Sequence, residues 1–290
     1  MKTLQELTLL DRFLFDQTME DTETYEALLR IILGDEELKL LTPSQTEKEL
    51  RTAPWLRSIR VDVFAMDDFT IFSTEMQKVW RNDLVKRSRY YQGLIDSSLL
   101  EPGVPNYNNM KNTTIIMITP FDLFGQKHFV YTFEDVCTED PTLKLNDGAK
   151  RIFINTHGTN VNDVSPEFIA LMKFIEYNEG IDKTGTKAPN LEKIVDRVGR
   201  VKASEKVGVL YMQKWEEEII MKQQAEKEGF DTGFKRGMEQ GMEQGMKQGM
   251  EQERLEVIKN LMKNLKLTAE KAMESLGIPK CDYDKYLSKL

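Results

Sequence analysis

Alternating hydrophobic and polar residues predict a β-hairpin at residues 59–77. Two runs rich in β-branched and aromatic residues, IRVDVFAM and TIFSTEM, flank a pair of aspartates, which is typical of two strands joined by a polar turn. Successive side chains of a strand point to opposite faces of the sheet. We therefore expect Arg60 and Asp62 on one face, and Val61 and Val63 on the other.

The predicted hairpin brings two carboxylates together. A turn centred directly after the aspartate pair places Asp62 opposite Glu75, and Arg60 opposite Gln77. Opposed residues of an antiparallel pair have Cβ atoms about 4.5–5.5 Å apart, so two like charges there repel. The pair should therefore cost stability unless a cation or a proton lies between the carboxylates. The alternative is a register slipped by one residue, with both charges solvated on an exposed face.

Helices and further strands are predicted on both sides of the hairpin. Apolar residues recur at helical spacing in three segments: 7–33, 80–100 and 165–177. Three further apolar runs predict strands: 112–119, 128–134 and 151–156. We expect helix ends at Asp21 or Thr22, at Gly34 and at Ser165, and a short helix near 47–50. The result is an α/β fold with a mixed β-sheet core of at least five strands, flanked by helices.

Glycine recurs at every fourth position of the C-terminal part: Gly229, Gly233, Gly237, Gly241, Gly245 and Gly249. Each interior glycine costs a helix about 1 kcal/mol relative to alanine, so we interpret the repeat as a flexible linker or frayed helix. A self-association helix, which would make the chain a homo-oligomer, is the alternative. We expect a first domain at 1–185, a charged helical segment containing the repeat at 186–252, and a small helical C-terminal tail at 253–290.

Composition and charge limit the kinds of nucleic-acid binding, metal binding and membrane association that are expected of this protein. A formal net charge of −8 argues against attraction of nucleic acid by the whole surface, so any DNA affinity must come from a local patch. Cys137 and Cys281 lie far apart, and two histidines are too few for a multi-histidine metal site. Because we find neither a signal peptide nor an apolar stretch of about 18 residues, we expect a cytoplasmic protein that enters no membrane.

A local basic patch follows the hairpin. Between residues 78 and 89 five basic residues stand against one acidic residue, which gives a local excess of positive charge suited to phosphate contacts. The candidate DNA-binding residues are Lys86, Arg87, Arg89, Tyr90 and Tyr91. The alternatives are a solvated helix face for the basic residues and packing in or near the core for the tyrosines.

The two carboxylates are candidate metal ligands. Mg²⁺ keeps several waters and takes only one or two protein carboxylates together with phosphate oxygens. Such a metal can generate a hydroxide nucleophile and clamp a phosphodiester. Asp62 and Glu75 are therefore candidate ligands of Mg²⁺, or of Mn²⁺.

The hairpin resembles the active-site hairpin of the PD-(D/E)XK nuclease superfamily, and more narrowly that of the Rpn group of recombination-promoting nucleases and transposases. The matching strand motifs are Ile-Arg-Val-Asp-Val at 59–63 and Glu-Met-Gln at 75–77. Further matching segments are LDRFLF at 10–15, RSRYY at 87–91, FDLFG at 121–125 and YTF at 131–133. A glycine-punctuated C-terminal tail is also typical of this group, so the resemblance extends over nearly the whole chain.

This resemblance implies a restriction-endonuclease-like core and a metal-dependent DNA endonuclease linked to recombination or mobile DNA. Asp62 and Glu75 would hold the metal, and Gln77 would occupy the third catalytic position. Asp11 matches the family's opening acidic residue, which implies an accessory role at the site. The alternative for Asp11 is a helix N-cap or a surface carboxylate.

Gln77 departs from the superfamily pattern, which usually has lysine at this position. Glutamine cannot supply the positive charge that stabilises a pentavalent phosphate. Arg60, Lys86 or Arg87 could supply that charge, whereas Lys78 should point to the opposite face. The alternative function is a catalytically weak DNA-binding or assembly protein that retains the fold.

Overall fold

A computed structural model describes residues 2–50, 58–99, 106–179 and 188–290. The chain divides into two compact units, Met1–Gln213 and Lys214–Leu290. The first unit contains the sheet and the candidate site, and the second is helical.

The first unit is built on a six-stranded sheet. Its strands are β1 (Gln45–Leu50), β2 (Ile59–Met66), β3 (Thr70–Met76), β4 (Asn112–Thr119), β5 (Val130–Phe133) and β6 (Ala149–Asn155). Their order is β1-β2-β3-β4-β6-β5. The pairs β3–β4 and β4–β6 are parallel and the other three pairs are antiparallel, which confirms the predicted mixed sheet.

One strand forms where a helix was expected. The segment near 47–50 belongs to β1, which pairs antiparallel with β2 on both sides of Glu47. Its polar sequence, QTEKEL, gives no clear period of its own. Pairing with an apolar neighbouring strand therefore decides its conformation.

Helices cover both faces of this sheet. They are α1 (Arg12–Met19), α2 (Thr22–Leu33), α3 (Leu84–Asp96), α4 (Pro166–Tyr177) and α5 (Pro189–Ala203). One apolar cluster, here called the α2 cluster, joins α1, α2, α4 and α5 to one face of the sheet. A second, the α3 cluster, joins α3 to the other face. The central strands are therefore buried on both sides, as expected for parallel strands.

The predicted helix ends are confirmed. The Asp21 carboxylate accepts a hydrogen bond from the N–H of Thr24, and Ser165 Oγ accepts one from the N–H of Phe168. Gly34 ends α2 in the left-handed region, with a φ of +66°. These signals depend only on local sequence, because a cap satisfies backbone groups of its own helix.

The first unit extends beyond the expected boundary at 185, which itself lies outside the described residues. Leu191, Ile194, Val198 and Val201 of α5 are buried in the α2 cluster. Helix α5 contacts α1, α2 and α4. It therefore belongs to the first unit and completes the core on that face.

The glycine repeat is helical. It lies within α6 (Glu205–Leu265), which is followed by α7 (Ala269–Ser275) and α8 (Tyr283–Leu287). A small apolar cluster joins the end of α6 to the two short helices. Among the described helices, none is both long and apolar enough to cross a membrane.

Candidate functional site

Asp62 in β2 and Glu75 in β3 each bind the backbone of the opposite strand. The backbone pairing of the two strands has the predicted register and runs to Val63 and Thr74. Beyond that point Glu75 Oε1 accepts a hydrogen bond from the N–H of Asp62, and Asp62 Oδ2 accepts one from the N–H of Met76, both at 2.9 Å. The two carboxylates therefore replace carbonyl acceptors where the ladder ends, which fixes their orientation.

The predicted side-chain alternation of β2 is wrong at Asp62. Val61 packs with Phe64 in the α3 cluster, whereas Val63 packs in the α2 cluster. Residues two apart in a regular strand share a face, so the alternation is interrupted at Asp62. Glu47, which lies level with Asp62 in β1, has a φ of +52°. The distortion therefore affects both strands at the position of the carboxylate.

Burial dominates the electrostatics of the pair. Asp62 and Glu75 are each 3% exposed. Burial, and then the negative charge of Asp62, raise the pKa of Glu75 to about 8. Burial also raises the pKa of Asp62, against the opposing effect of Arg12. Both shifts have the sign expected for buried carboxylates close together, and both favour a bound proton or cation.

Two arginines reach the carboxylates from helices on opposite faces of the sheet. Arg12 Nη2 of α1 lies 2.7 Å from Asp62 Oδ1, and Arg87 Nη2 of α3 lies 3.2 Å from Glu75 Oε2. No motif or charge pattern marked Arg12. The only signal was its place in the segment LDRFLF, and its contact depends on the packing of α1 against β2.

Arg87 also holds the third predicted site residue. Its Nη1 donates to Gln77 Oε1 at 2.9 Å, and its Nε donates to the Tyr91 hydroxyl at 2.6 Å. Gln77 Nε2 donates in turn to the carbonyl of Val79 at 2.7 Å. The guanidinium therefore binds Glu75, Gln77 and Tyr91 together, and it places a fixed positive charge where the glutamine supplies none.

Arg60 lies outside this group. Its Nη1 is 3.9 Å from Glu47 Oε2, and its side chain is 58% exposed. Because Val61 packs in the α3 cluster and neighbouring side chains alternate, Arg60 points away from the face of α3. Arg60 is therefore directed to Glu47 of β1, on the side of the sheet opposite Arg87.

Asp11 occupies the N-cap position of α1, but its carboxylate bonds elsewhere. It accepts hydrogen bonds from the N–H of Thr8 at 3.0 Å and from Lys78 Nζ at 2.6 Å. Lys78 is thereby directed to Asp11, away from Gln77, as the strand pleat predicts. Arg12, the next residue, is the one that contacts Asp62.

The predicted DNA-binding residues of α3 divide into two groups. Lys86, Arg89 and Tyr90 are exposed. Tyr91 is only 3% exposed and packs in the α3 cluster, which agrees with the alternative of core packing and leaves it unable to contact DNA. Helical geometry explains the division, because the first three lie on the solvent side of α3 and Tyr91 on the side facing the sheet.

Asp62 and Glu75 are the two side chains of this site whose oxygens could hold Mg²⁺ or Mn²⁺. Among the residues that the structure describes, no group of three or more His, Cys, Asp or Glu side chains is placed to hold a metal. Two carboxylates suffice for Mg²⁺ when water and phosphate complete its shell. Asp62 Oδ1 and Glu75 Oε2 are the oxygens that face the arginines. A metal would therefore compete with Arg12 and Arg87 for them.

Comparison of the chain with family models, curated proteins and solved structures gives no match.

Proposed function

We propose that this protein is a metal-dependent DNA endonuclease that hydrolyses phosphodiester bonds. The observation that supports the proposal best is the buried pair of Asp62 and Glu75, each held in place by the opposite strand. Two buried carboxylates with raised pKa values cost stability, and a site that binds cations gives a physical reason to retain them. The resemblance of the sequence motifs to those of the PD-(D/E)XK superfamily and the Rpn group favours DNA as the substrate and a role in recombination or mobile DNA.

Each residue has a distinct role in this proposal. Asp62 and Glu75 would hold Mg²⁺ or Mn²⁺, which when bound supplies a hydroxide nucleophile and a Lewis acid at the phosphate. Gln77 orients water or a phosphate oxygen through its amide. Arg87 offers donors to the negative charge that develops on the phosphate, and Tyr91 and Gln77 hold its guanidinium in position.

The exposed cations of α3 would contact the DNA backbone. Lys86 and Arg89 lie on the solvent side of the helix that carries Arg87. Contacts of this kind are independent of base sequence and weaken as salt rises. We therefore expect Lys86 and Arg89 to contribute to DNA affinity, and Arg87 to contribute to the cleavage step.

A second candidate function is a DNA-binding or assembly protein without catalysis. The observation that favours it is that all four carboxylate oxygens already accept donors from Arg12, Arg87 and two backbone N–H groups. In that case the carboxylates and arginines are structural ion pairs. Glutamine at position 77, where the superfamily usually has lysine, then reflects the absence of catalysis.

Cleavage of supercoiled plasmid separates the two functions. The purified protein should nick or linearise plasmid with Mg²⁺ or Mn²⁺ and should fail with EDTA. Asp62→Asn and Glu75→Gln should each lower the rate by at least about 100-fold, because loss of even an indirect metal contact costs 10–100-fold. Arg87→Lys should also lower the rate, because lysine keeps the charge but loses the fork that binds three side chains.

The matched control is Asp68→Asn, which removes an exposed carboxylate from the turn of the same hairpin. It should cleave like the wild type. A Mg²⁺-dependent rise in the unfolding midpoint that Asp62→Asn abolishes would show metal binding independently of activity. Inactivity with both metals, or cleavage that survives Asp62→Asn, would favour the second function.

A further inference from the structure

Trp80 forms an exposed aromatic surface beside the candidate site. The residue is 55% exposed, and Val79 before it is 67% exposed. Its ring contacts that of Phe121 at a centroid distance of 5.1 Å and an interplanar angle of 64°. Phe121 is itself packed against the α3 cluster. The indole is thus supported on one side by the fold while most of its surface faces solvent.

This surface is tied to the site through Gln77. The Gln77 amide donates to the carbonyl of Val79, the residue directly before Trp80. The same side chain accepts a hydrogen bond from Arg87. The loop that carries the indole is therefore fixed by the residues that surround Glu75.

Basic residues lie close to Trp80 in the sequence. Lys78 and Arg81 flank Trp80, and Lys86 and Arg89 are exposed on the following helix. Lys78 is paired with Asp11 and Arg81 with Asp83, and both side chains remain about half exposed, at 46% and 51%. Each of the four cations is therefore exposed or half-exposed and can be reached by a phosphate group.

We propose that Trp80, supported by Phe121, is a stacking site for an unpaired base of single-stranded nucleic acid. The proposal rests on the proposed function and deepens it, because it names the form of substrate that the site accepts. An indole stacks on the flat face of any base, whereas the cations bind the flanking phosphates. Bases inside a duplex are already stacked on each other, so only a single-stranded, frayed or flipped nucleotide can occupy such a site.

The proposal is tested by the fluorescence of the full-length protein in EDTA, where cleavage does not occur. Short oligo(dT), oligo(dA) and oligo(rA) are the probes, and a duplex with closed hairpin ends is the comparison. The single strands should quench tryptophan emission and bind more tightly than the closed duplex. The deoxy and ribo probes show whether the sugar affects binding.

Two substitutions isolate Trp80 among the three tryptophans. Trp80→Ala should weaken binding of the single strands about tenfold, within the range measured for one stacked base. Trp80→Phe should lose the quenching but keep most of the affinity, because phenylalanine still stacks. Phe69→Ala is the matched control, since Phe69 is 75% exposed at the other end of β3, and it should bind like the wild type.

The outcomes also separate this proposal from the proposed function. Unchanged affinity of Trp80→Ala, or tighter binding of the closed duplex than of the single strands, would overturn the stacking site. Circular dichroism of each variant establishes that it is folded. Plasmid cleavage in Mg²⁺ is scored separately: Trp80-dependent binding without cleavage would retain the stacking site and reject the nuclease, and cleavage without Trp80-dependent binding would do the reverse.

Discussion

Glu75 makes the stability of the fold depend on pH. Its pKa is about 8 in the folded protein against an ordinary value of 4.5, with burial as the main cause. A carboxyl with a raised folded pKa stabilises the protein fully below the unfolded value, and that contribution is lost as pH rises through the folded value. The pKa of Asp62 is raised as well. Both groups therefore act in the same direction.

We predict that, without divalent metal, the free energy of unfolding falls as pH rises from about 5 to about 9. Glu75→Gln should reduce this slope, because the amide does not titrate. Chemical denaturation across this pH range measures the slope for the wild type and for the variant. Mg²⁺ should raise the unfolding midpoint more at high than at low pH, since it binds deprotonated carboxylates. Parallel pH curves for wild type and Glu75→Gln would contradict the assignment.

Among the helices, α6 carries the clearest conflict between propensity and structure. Interior glycine lowers helix stability by about 1 kcal/mol relative to alanine, which favours a flexible linker or frayed helix for the repeat. The helix nevertheless continues through every repeat. Apart from its chain neighbours and the backbone of its own helix, a Cβ atom at Gly237, Gly241 or Gly245 would meet no atom within 4 Å. Space alone therefore does not require glycine at these positions.

We predict that Gly→Ala at positions 237, 241 and 245 increases helix content and stabilises α6 by about 0.5–1 kcal/mol per residue. Far-UV circular dichroism during thermal unfolding of the full-length protein measures this change. Gly34→Ala is the contrasting control. It should destabilise the first unit by about 1 kcal/mol, because Gly34 has a φ of +66° that alanine tolerates poorly. Loss of helix in the triple variant would contradict a helical repeat.

For the chain as a whole, the division into two units predicts where it can be shortened. The α2 and α3 clusters lie entirely within residues 1–213, and the third cluster lies entirely within the second unit. Each unit therefore has its own apolar core, which is the physical condition for independent folding.

We predict that a fragment ending at Gln213 unfolds cooperatively and keeps the plasmid cleavage of the full-length chain. A fragment ending at 185 should aggregate or unfold, because it lacks α5 and exposes the α2 cluster. Thermal unfolding and gel filtration of the two fragments measure the difference. A stable fragment 1–185 would show instead that α5 is dispensable for the core.

Local patterns in the sequence were enough to predict the hairpin, its register, the caps at Asp21, Gly34 and Ser165, and the mixed character of the sheet. The hairpin, its register and the caps depend on residues close in the chain: a polar turn, β-branched runs and side chains that bind backbone groups nearby. The mixed sheet follows from the order of strands and helices along the chain. The juxtaposition of Asp62 and Glu75 follows from the register alone. The proposed carboxylate pair was therefore accessible without a structure.

Only the tertiary structure decided which cations surround that pair. The contact of Arg12 with Asp62 joins α1 to β2, and that of Arg87 with Glu75 joins α3 to β3. The interruption at Asp62, the position of Arg60 beside Glu47 and the burial of Tyr91 likewise depend on how distant segments pack. The periodicity of a sequence predicts on which face of its helix or strand a side chain lies. The residues that it contacts there are determined by how that helix or strand packs against the rest of the fold.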